Sequence, residues 1–239
     1  MDKISQKDID WLLNLNKADA FQDPESSAIK KKWLQLLFWI LLIGGLGILP
    51  FFILIRTSIF LNLSFGWNGW LALGGGMLAT VLVLLLYVLF LFRRTSNKRL
   101  LLKFSLAGLG TLVLAFCFYG VMYLSSVNTK SDEVRQVYRS MHPILRIAIA
   151  TTTLADSDLV ITDIQRTPAD YAAMGIPLNK HSLHYTQPSG YVHAIDLRTI
   201  GQSELRNFLL QTTLRMMGLK TIRHVGSADH LHVALPTSY

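Results

Sequence analysis

The sequence predicts three transmembrane α-helices followed by a small α+β domain with an antiparallel sheet. Three observations carry this. The chain has 239 residues, of which 51% are hydrophobic and only 16% charged, and its mean hydropathy is +0.37. Three long runs, Trp33–Ile55, Gly69–Phe92 and Phe104–Leu124, contain no Asp, Glu, Lys, Arg or His. Beyond Ser125 the composition changes, and short β-branched runs alternate with helical patterns and turn residues.

A helix needs about 20 mostly apolar residues to cross ~30 Å of hydrocarbon, and each of the three runs is long enough. Buried core helices have shorter uncharged runs, of roughly 10–14 residues. The flanking charges set the orientation. Lys30, Lys31 and Lys32 precede the first run, and Arg93, Arg94, Lys98, Arg99 and Lys103 lie between the second and third. The predicted loop Thr57–Asn68 is uncharged, with Arg56 at its edge. Short loops rich in Lys and Arg stay on the cytoplasmic side. The N-terminus is therefore expected inside and Ser125–Tyr239 outside, a multi-pass arrangement in the cytoplasmic membrane with a periplasmic or extracellular C-terminal domain. Trp33, Trp67 and Trp70 stand where interfacial anchors belong. The first run is too long for the apolar core of a cleavable signal peptide, and further spans follow it.

Residues 1–32 read as a cytoplasmic leader. Ser5 and Asp8 form a variant capping box, and Ile9, Leu12 and Leu13 follow on one helical face. The segment from Ile4 to Leu13 resembles the N-terminal peptide of the flagellar motor switch protein, which implies an envelope-complex partner. On its residues alone it is an interfacial amphipathic helix lying on the bilayer. Asn16–Ser27, with Asp23-Pro24, reads as linker.

The formal charge of +8 does not mark a nucleic-acid partner. From Ser125 onward eleven Lys and Arg face nine Asp and Glu, whereas a nucleic-acid-binding domain concentrates its basic residues. The surplus sits in the juxtamembrane clusters, where topology and anionic lipid account for it. The single cysteine, Cys117, lies inside the third run, so the outer domain depends on its core, a ligand or a metal instead of disulfides.

Within that domain Asp132–His142 reads as a helix. Pro143 opens another that runs to about Leu154. Leu159–Thr162 begins a strand and Gly190–Leu197 forms a second. Ser203–Met217 is a periodic helix that Gly218 stops. Thr221–Val225 and His230–Leu235 are strands joined by the turn Gly226-Ser227-Ala228. Such an order suits an α+β domain.

All seven histidines lie in this domain, six of them between positions 181 and 232. Histidine is the commonest metal ligand, so the cluster predicts a metal site. Strand alternation places His230 and His232 on one face, with Leu231 turned into the core.

Four short motifs then occur in order: Arg166-Thr167-Pro168; Ser182-Leu183-His184-Tyr185; Gly190 followed by Ala194-Ile195-Asp196-Leu197; and His230-Leu231-His232. Together they resemble the D-Ala-D-Ala metallopeptidases, a group that includes phage L-alanyl-D-glutamate endolysins and the hedgehog signalling domain. The resemblance covers about Ile161 to Leu235. It implies a zinc ion held by His184, Asp196 and His232, which leaves the fourth position of a catalytic zinc open. It also implies Asp229 as general base, His230 as a transition-state donor, and Arg166 as the group that holds a substrate carboxylate or polarises the scissile carbonyl. Relatives space the ligand His and Asp seven positions apart; here the interval from His184 to Asp196 is twelve. An extended hairpin tip over Thr186–Gly190 absorbs the difference, and His193 and His181 stay open as alternative ligands. His193 stands three residues before Asp196, which on a strand puts the two on opposite faces. The implied function is a membrane-anchored zinc peptidase acting on peptidoglycan stem peptides. The alternative is a non-catalytic, zinc-stabilised wall-binding subunit of an envelope complex.

Overall fold

A run of apolar residues as long as Trp33–Ile55 satisfies its own backbone only as a helix, and the first element is one. In a computed structural model, which describes residues 24–173, 175, 177–226 and 229–237 together with Lys7, helix α1 spans Pro24–Phe65, 42 residues. Apart from Lys7, the predicted leader helix lies outside the described residues, as does the Ser227-Ala228 part of the last turn. α1 runs through Pro50 and continues past the predicted loop start at Thr57. Ile59, Phe60, Leu61 and Leu63 sustain it until Gly66, whose φ of +65° ends the helix. Helices α2 (Gly69–Leu91) and α3 (Lys98–Met122) follow. Asn68 caps α2 by accepting hydrogen bonds from the Trp70 and Leu71 amides at 3.1 and 3.0 Å, and Asn97 caps α3 through Leu100. All three are long and apolar enough to cross a membrane.

Two units divide the chain at Ile48. In the first, Trp33, Phe38, Ile40 and Leu41 are exposed along α1, an outer surface suited to lipid. In the second, from Leu49 on, one apolar cluster runs from Leu54 and Ile55 through Cys117 and Val121 to Ile195 and Leu231. The core therefore continues past Ser125. Where a single helix was expected over Asp132–His142, the chain forms a short helix α4 (Asp132–Gln136) and a 3₁₀ turn, Val137–Ser140.

Helix α5 (Pro143–Ala155) is the centre of this core: every residue from Pro143 to Thr152 is buried. Each fully buried Ile or Leu there contributes about 1.5–3 kcal/mol relative to exposure. α5 packs against the last turn of α3 at Gly120, where an added Cβ would stand 2.8 Å from that of Ala150. At its other end His142 lies against Gly69, the first residue of α2. Polar contacts lock this junction. Trp70 Nε1 donates to Tyr191 Oη at 2.9 Å, the His142 amide donates to the Val192 carbonyl at 2.9 Å, and Arg146 donates to the Val121 carbonyl at 2.9 Å.

The remaining elements are β1 (Ile161–Asp163), α6 (Pro168–Ala173), β2 (Ala194–Arg198), α7 (Glu204–Met216), β3 (Lys220–His224) and β4 (His230–Ala234). The strands form one antiparallel sheet in the order β1-β2-β4-β3. Ser203 caps α7 by accepting from the Arg206 amide, and Gly218 ends the helix segment at φ +100°. α6 was not anticipated, and β2 begins at Ala194 instead of Gly190 because Gly190, at φ +80°, belongs to the preceding turn.

The histidines at the junction give a pH dependence. Burial, with His193 and Arg146 nearby, pushes His142 down to about 3; burial pushes His193 down to about 4. Both rings are thus neutral in the native state, while in the unfolded chain they take protons near pH 6.5. Below that pH the unfolded state binds more protons, so stability falls as pH drops from about 6.5 toward 4, by up to about 1.4 kcal/mol per pH unit for each ring. Thermal unfolding of the full chain in detergent should shift downward between pH 7.5 and 5, and His142→Asn should flatten that shift. An unchanged pH slope in the variant contradicts the assignment.

Candidate metal centre

Alternation along β2 turns Ile195 and Leu197 into the core and Asp196 to the opposite face. On β4, Leu231 and Val233 go inward while His230 and His232 share the face of Asp196. Asp196 and His232 are direct register partners, a position that sets Cβ atoms about 4.5–5.5 Å apart. His184 reaches them from the segment that crosses this face between β1 and β2. Its turn is closed by Tyr185 N donating to the Ser182 carbonyl at 3.2 Å, and the Arg166 amide donates to the His184 carbonyl at 3.2 Å.

Three ligand atoms converge there. His232 Nδ1 lies 2.9 Å from Asp196 Oδ1, His184 Nε2 lies 3.2 Å from His232 Nδ1, and His184 Nε2 lies 3.4 Å from Asp196 Oδ1. Donors around a tetrahedral ion with bonds of ~2.0–2.1 Å stand about 3.3 Å apart, so the triangle has the size of a metal-ligand set. Proton counting agrees. His184 Nδ1 is 2.8 Å from the Ile164 carbonyl, which only accepts, so that nitrogen carries the proton and Nε2 presents a lone pair. His232 Nδ1 has one proton at most to offer two neighbours. With both rings neutral, two acceptors face each other across 3.4 Å, and a bound cation resolves the conflict. The cluster is able to hold a metal ion.

Supporting groups fix two of the three candidate ligands, as metal sites require. The Ile164 carbonyl sets the His184 ring. The second oxygen of Asp196 is ion-paired with Arg166, whose Nε binds Asp163. Asp163 and Asp196 are themselves register partners at the irregular β1–β2 pairing, so the guanidinium separates two like charges. Burial pushes the Asp196 carboxyl up, yet its contact with His232 and the charge of Arg166 outweigh it. The group is held well below the carboxylate range. Burial opposes the charge of Arg166, but Asp196 and Asp163 hold it firmly protonated. His184 and Asp196 are only 1% and 2% exposed, whereas the His232 and His230 side chains are about a quarter exposed, at 23% and 26%. The site opens along β4.

The other sequence candidates fall as follows. His230 borders the triad, its Nε2 3.9 Å from Asp196 Oδ2. Arg166 is engaged with the two carboxylates behind the ligands, and its guanidinium lies 5.8 Å from the centre of the Tyr171 ring. Asp229 is not brought to the triad. Its carboxylate accepts from Arg223 at 3.0 and 3.3 Å and from Thr199 Oγ1. Arg223 is the register partner of Leu231, so this ion pair lies toward the core face. His193 is buried at the α5 junction, 2.6 Å from Ser189 Oγ and edge-on to His142, and His181 is exposed. Of the three histidines in this region, the structure brings His184 to Asp196 and His232. The twelve-residue interval is taken up by a turn in which Gln187 N donates to Tyr191 O and Gly190 N to Gln187 O. Asp163 and the Ile164 carbonyl were missed; the only signal for Asp163 was its spacing three residues before Arg166.

Compared with family models, curated proteins and solved structures, the chain matches none.

The ligand set makes a stoichiometric prediction. Full-length protein loaded with zinc and washed should retain about one equivalent by elemental analysis. His184→Ala and His232→Ala should each reduce this to near zero and lower the melting temperature, because metal binding is coupled to folding. His193→Ala and His181→Ala should retain the metal. Full retention in His184→Ala contradicts the assignment.

Proposed function

We propose that this chain is a membrane-anchored zinc peptidase that cleaves peptidoglycan stem peptides on the extracytoplasmic side of the cytoplasmic membrane. The observation that carries this reading is the His184–Asp196–His232 triangle, with ligand atoms 2.9–3.4 Å apart and one side left open. Its motif order, resembling that of the D-Ala-D-Ala metallopeptidases, supplies the substrate class. The basic residues between α2 and α3 supply the orientation, since the domain lies at the opposite end of α3 from Arg93–Lys103.

His184, Asp196 and His232 would hold the ion. A zinc ion held by these side chains supplies Lewis-acid activation of the scissile carbonyl and of the attacking water. Arg166 keeps Asp196 ionised and fixes its angle, so it acts as a positioning residue. His230, half-buried beside the triad and near the opening, is placed to accept a proton and return it to the leaving amine. Asp229 faces Arg223 and Thr199, and its hydrogen bonds to them hold its carboxyl below the usual range. This favours a structural task for Asp229.

A second reading rests on that last observation. Without a free carboxylate at the metal, the domain would be a zinc-stabilised module that holds cell wall without cutting it.

The two readings separate on purified peptidoglycan and muropeptides with folded, metal-loaded full-length protein. The enzyme reading predicts release of new amines, lowered ~10²–10⁴-fold in His230→Gln with zinc retained, the usual contribution of a positioned acid–base group. Asp229→Asn should lower the melting temperature and leave turnover within about tenfold. Zinc and cell-wall binding with no amine released leaves the binding module.

A further inference from the structure

The strongest feature outside the metal centre lies at the domain-side end of α3, where guanidinium groups gather beside exposed aromatic side chains. A cavity of about 360 Å³ is lined there by Met122 and Tyr123 of the α3 end, by Arg135 and Gln136 of α4, and by Tyr138 and Arg139 of the 3₁₀ turn. We propose that this crease binds the phosphate headgroup of an anionic phospholipid from the bilayer that α3 crosses.

The crease is built on a rigid floor. Tyr138 is buried, and its hydroxyl donates to the carbonyl of Gly120 in the last turn of α3, with the carbonyl of Arg146 in α5 at 3.3 Å. The α4 segment is thereby pinned to the helix end. Directly behind it Arg146 is 3% exposed. Its charge is met by the Val121 carbonyl and by the faces of Trp70 and Tyr191 at 5.5 and 5.8 Å. Arg139 lies close enough to oppose the Arg146 charge. The acids Asp132 and Glu133 begin α4, and Asp132 pairs with Arg135 at 2.8 Å. Among the described residues no ion pair to a carboxylate is made by Arg139 or Arg146. Of the two arginines that line the crease, Arg139 is thus left without a carboxylate partner among the described residues, and a phosphate supplies one. Arginine's planar fork suits phosphate oxygens.

The wall beside these arginines selects a lipid over a free anion. Tyr119 and Tyr123 pair at 5.1 Å between ring centres and are about half exposed, at 50% and 51%. Phe118, one turn below Met122, is 67% exposed. Aromatic residues at the end of a spanning helix sit at headgroup depth. A ligand with its phosphate at Arg135 and Arg139 thus has an apolar surface along α3 for its acyl chains, which a soluble phosphate would leave empty.

The test uses full-length protein, delipidated in a neutral detergent and followed by thermal unfolding and native mass spectrometry. Probes are dioctanoyl phosphatidylglycerol, dioctanoyl phosphatidylcholine and inorganic phosphate at matched concentrations. Phosphatidylglycerol should raise the melting temperature and remain as a one-to-one adduct, and the other two should do neither. Both arginines are exposed, so an Arg135→Gln/Arg139→Gln variant should fold. Its apparent Kd for phosphatidylglycerol should rise by about tenfold or more, one lost charge-assisted contact being worth about that factor. Lys130→Gln, outside the lining of the crease, should bind as wild type. Equal stabilisation by phosphatidylcholine identifies a generic lipid surface, equal stabilisation by inorganic phosphate identifies a soluble-anion site, and unchanged affinity in the double variant removes the arginines. Each of these overturns the proposal.

Discussion

A carboxylate buried in a central strand must be compensated, and at Asp196 that requirement organises the whole site. The residue is 2% exposed and lies in β2 between two antiparallel neighbours. The effective cost of burying such a charge is several kcal/mol unless it is paired and hydrogen-bonded. One oxygen is met by Arg166, and the other faces His184 and His232. The arginine brings Asp163 with it, and the two histidines bring more lone pairs than protons. His184, Asp196 and His232 form a cluster able to hold a metal ion.

The crossing segment between β1 and β2 ties this centre to the membrane helices. At one end it contributes Arg166 and His184. At the other, Tyr191 and His193 meet Trp70, His142 and Arg146 at the start of α2 and along α5. Since ten consecutive residues of α5 are buried, the site is held by one continuous core and not by a tethered module. That fixes its position relative to α2 and α3.

Much of this was legible from local rules. Period-two alternation placed His230 and His232 together, the Ser203 and Gly218 signals bounded α7, and uncharged length identified α1 to α3. Most of what escaped depended on contacts distant in sequence. The end of α1 at Phe65 in place of Ile55 did have a local signal, Gly66, but the uncharged run that defined the span stops at Arg56 while the apolar helical spacing continues. The role of Asp163 exists only once β1 pairs with β2. A substrate-binding role for Arg166 came from the resemblance, and its ion pair with Asp196, thirty residues away, exists only in the fold. Asp229 is the instructive case. It stands just before β4, and its carboxylate is engaged by Arg223 and Thr199, contacts that exist only in the fold.

The account rests on one coordination sphere: two imidazoles and one carboxylate around a single ion. X-ray absorption at the zinc edge of the loaded full-length protein measures it directly. The predicted spectrum has a first shell of nitrogen and oxygen only, at ~2.0–2.1 Å, with the outer-shell scattering of two imidazole rings. A sulfur shell near ~2.3 Å, or a nitrogen–oxygen shell without imidazole scattering, would contradict it.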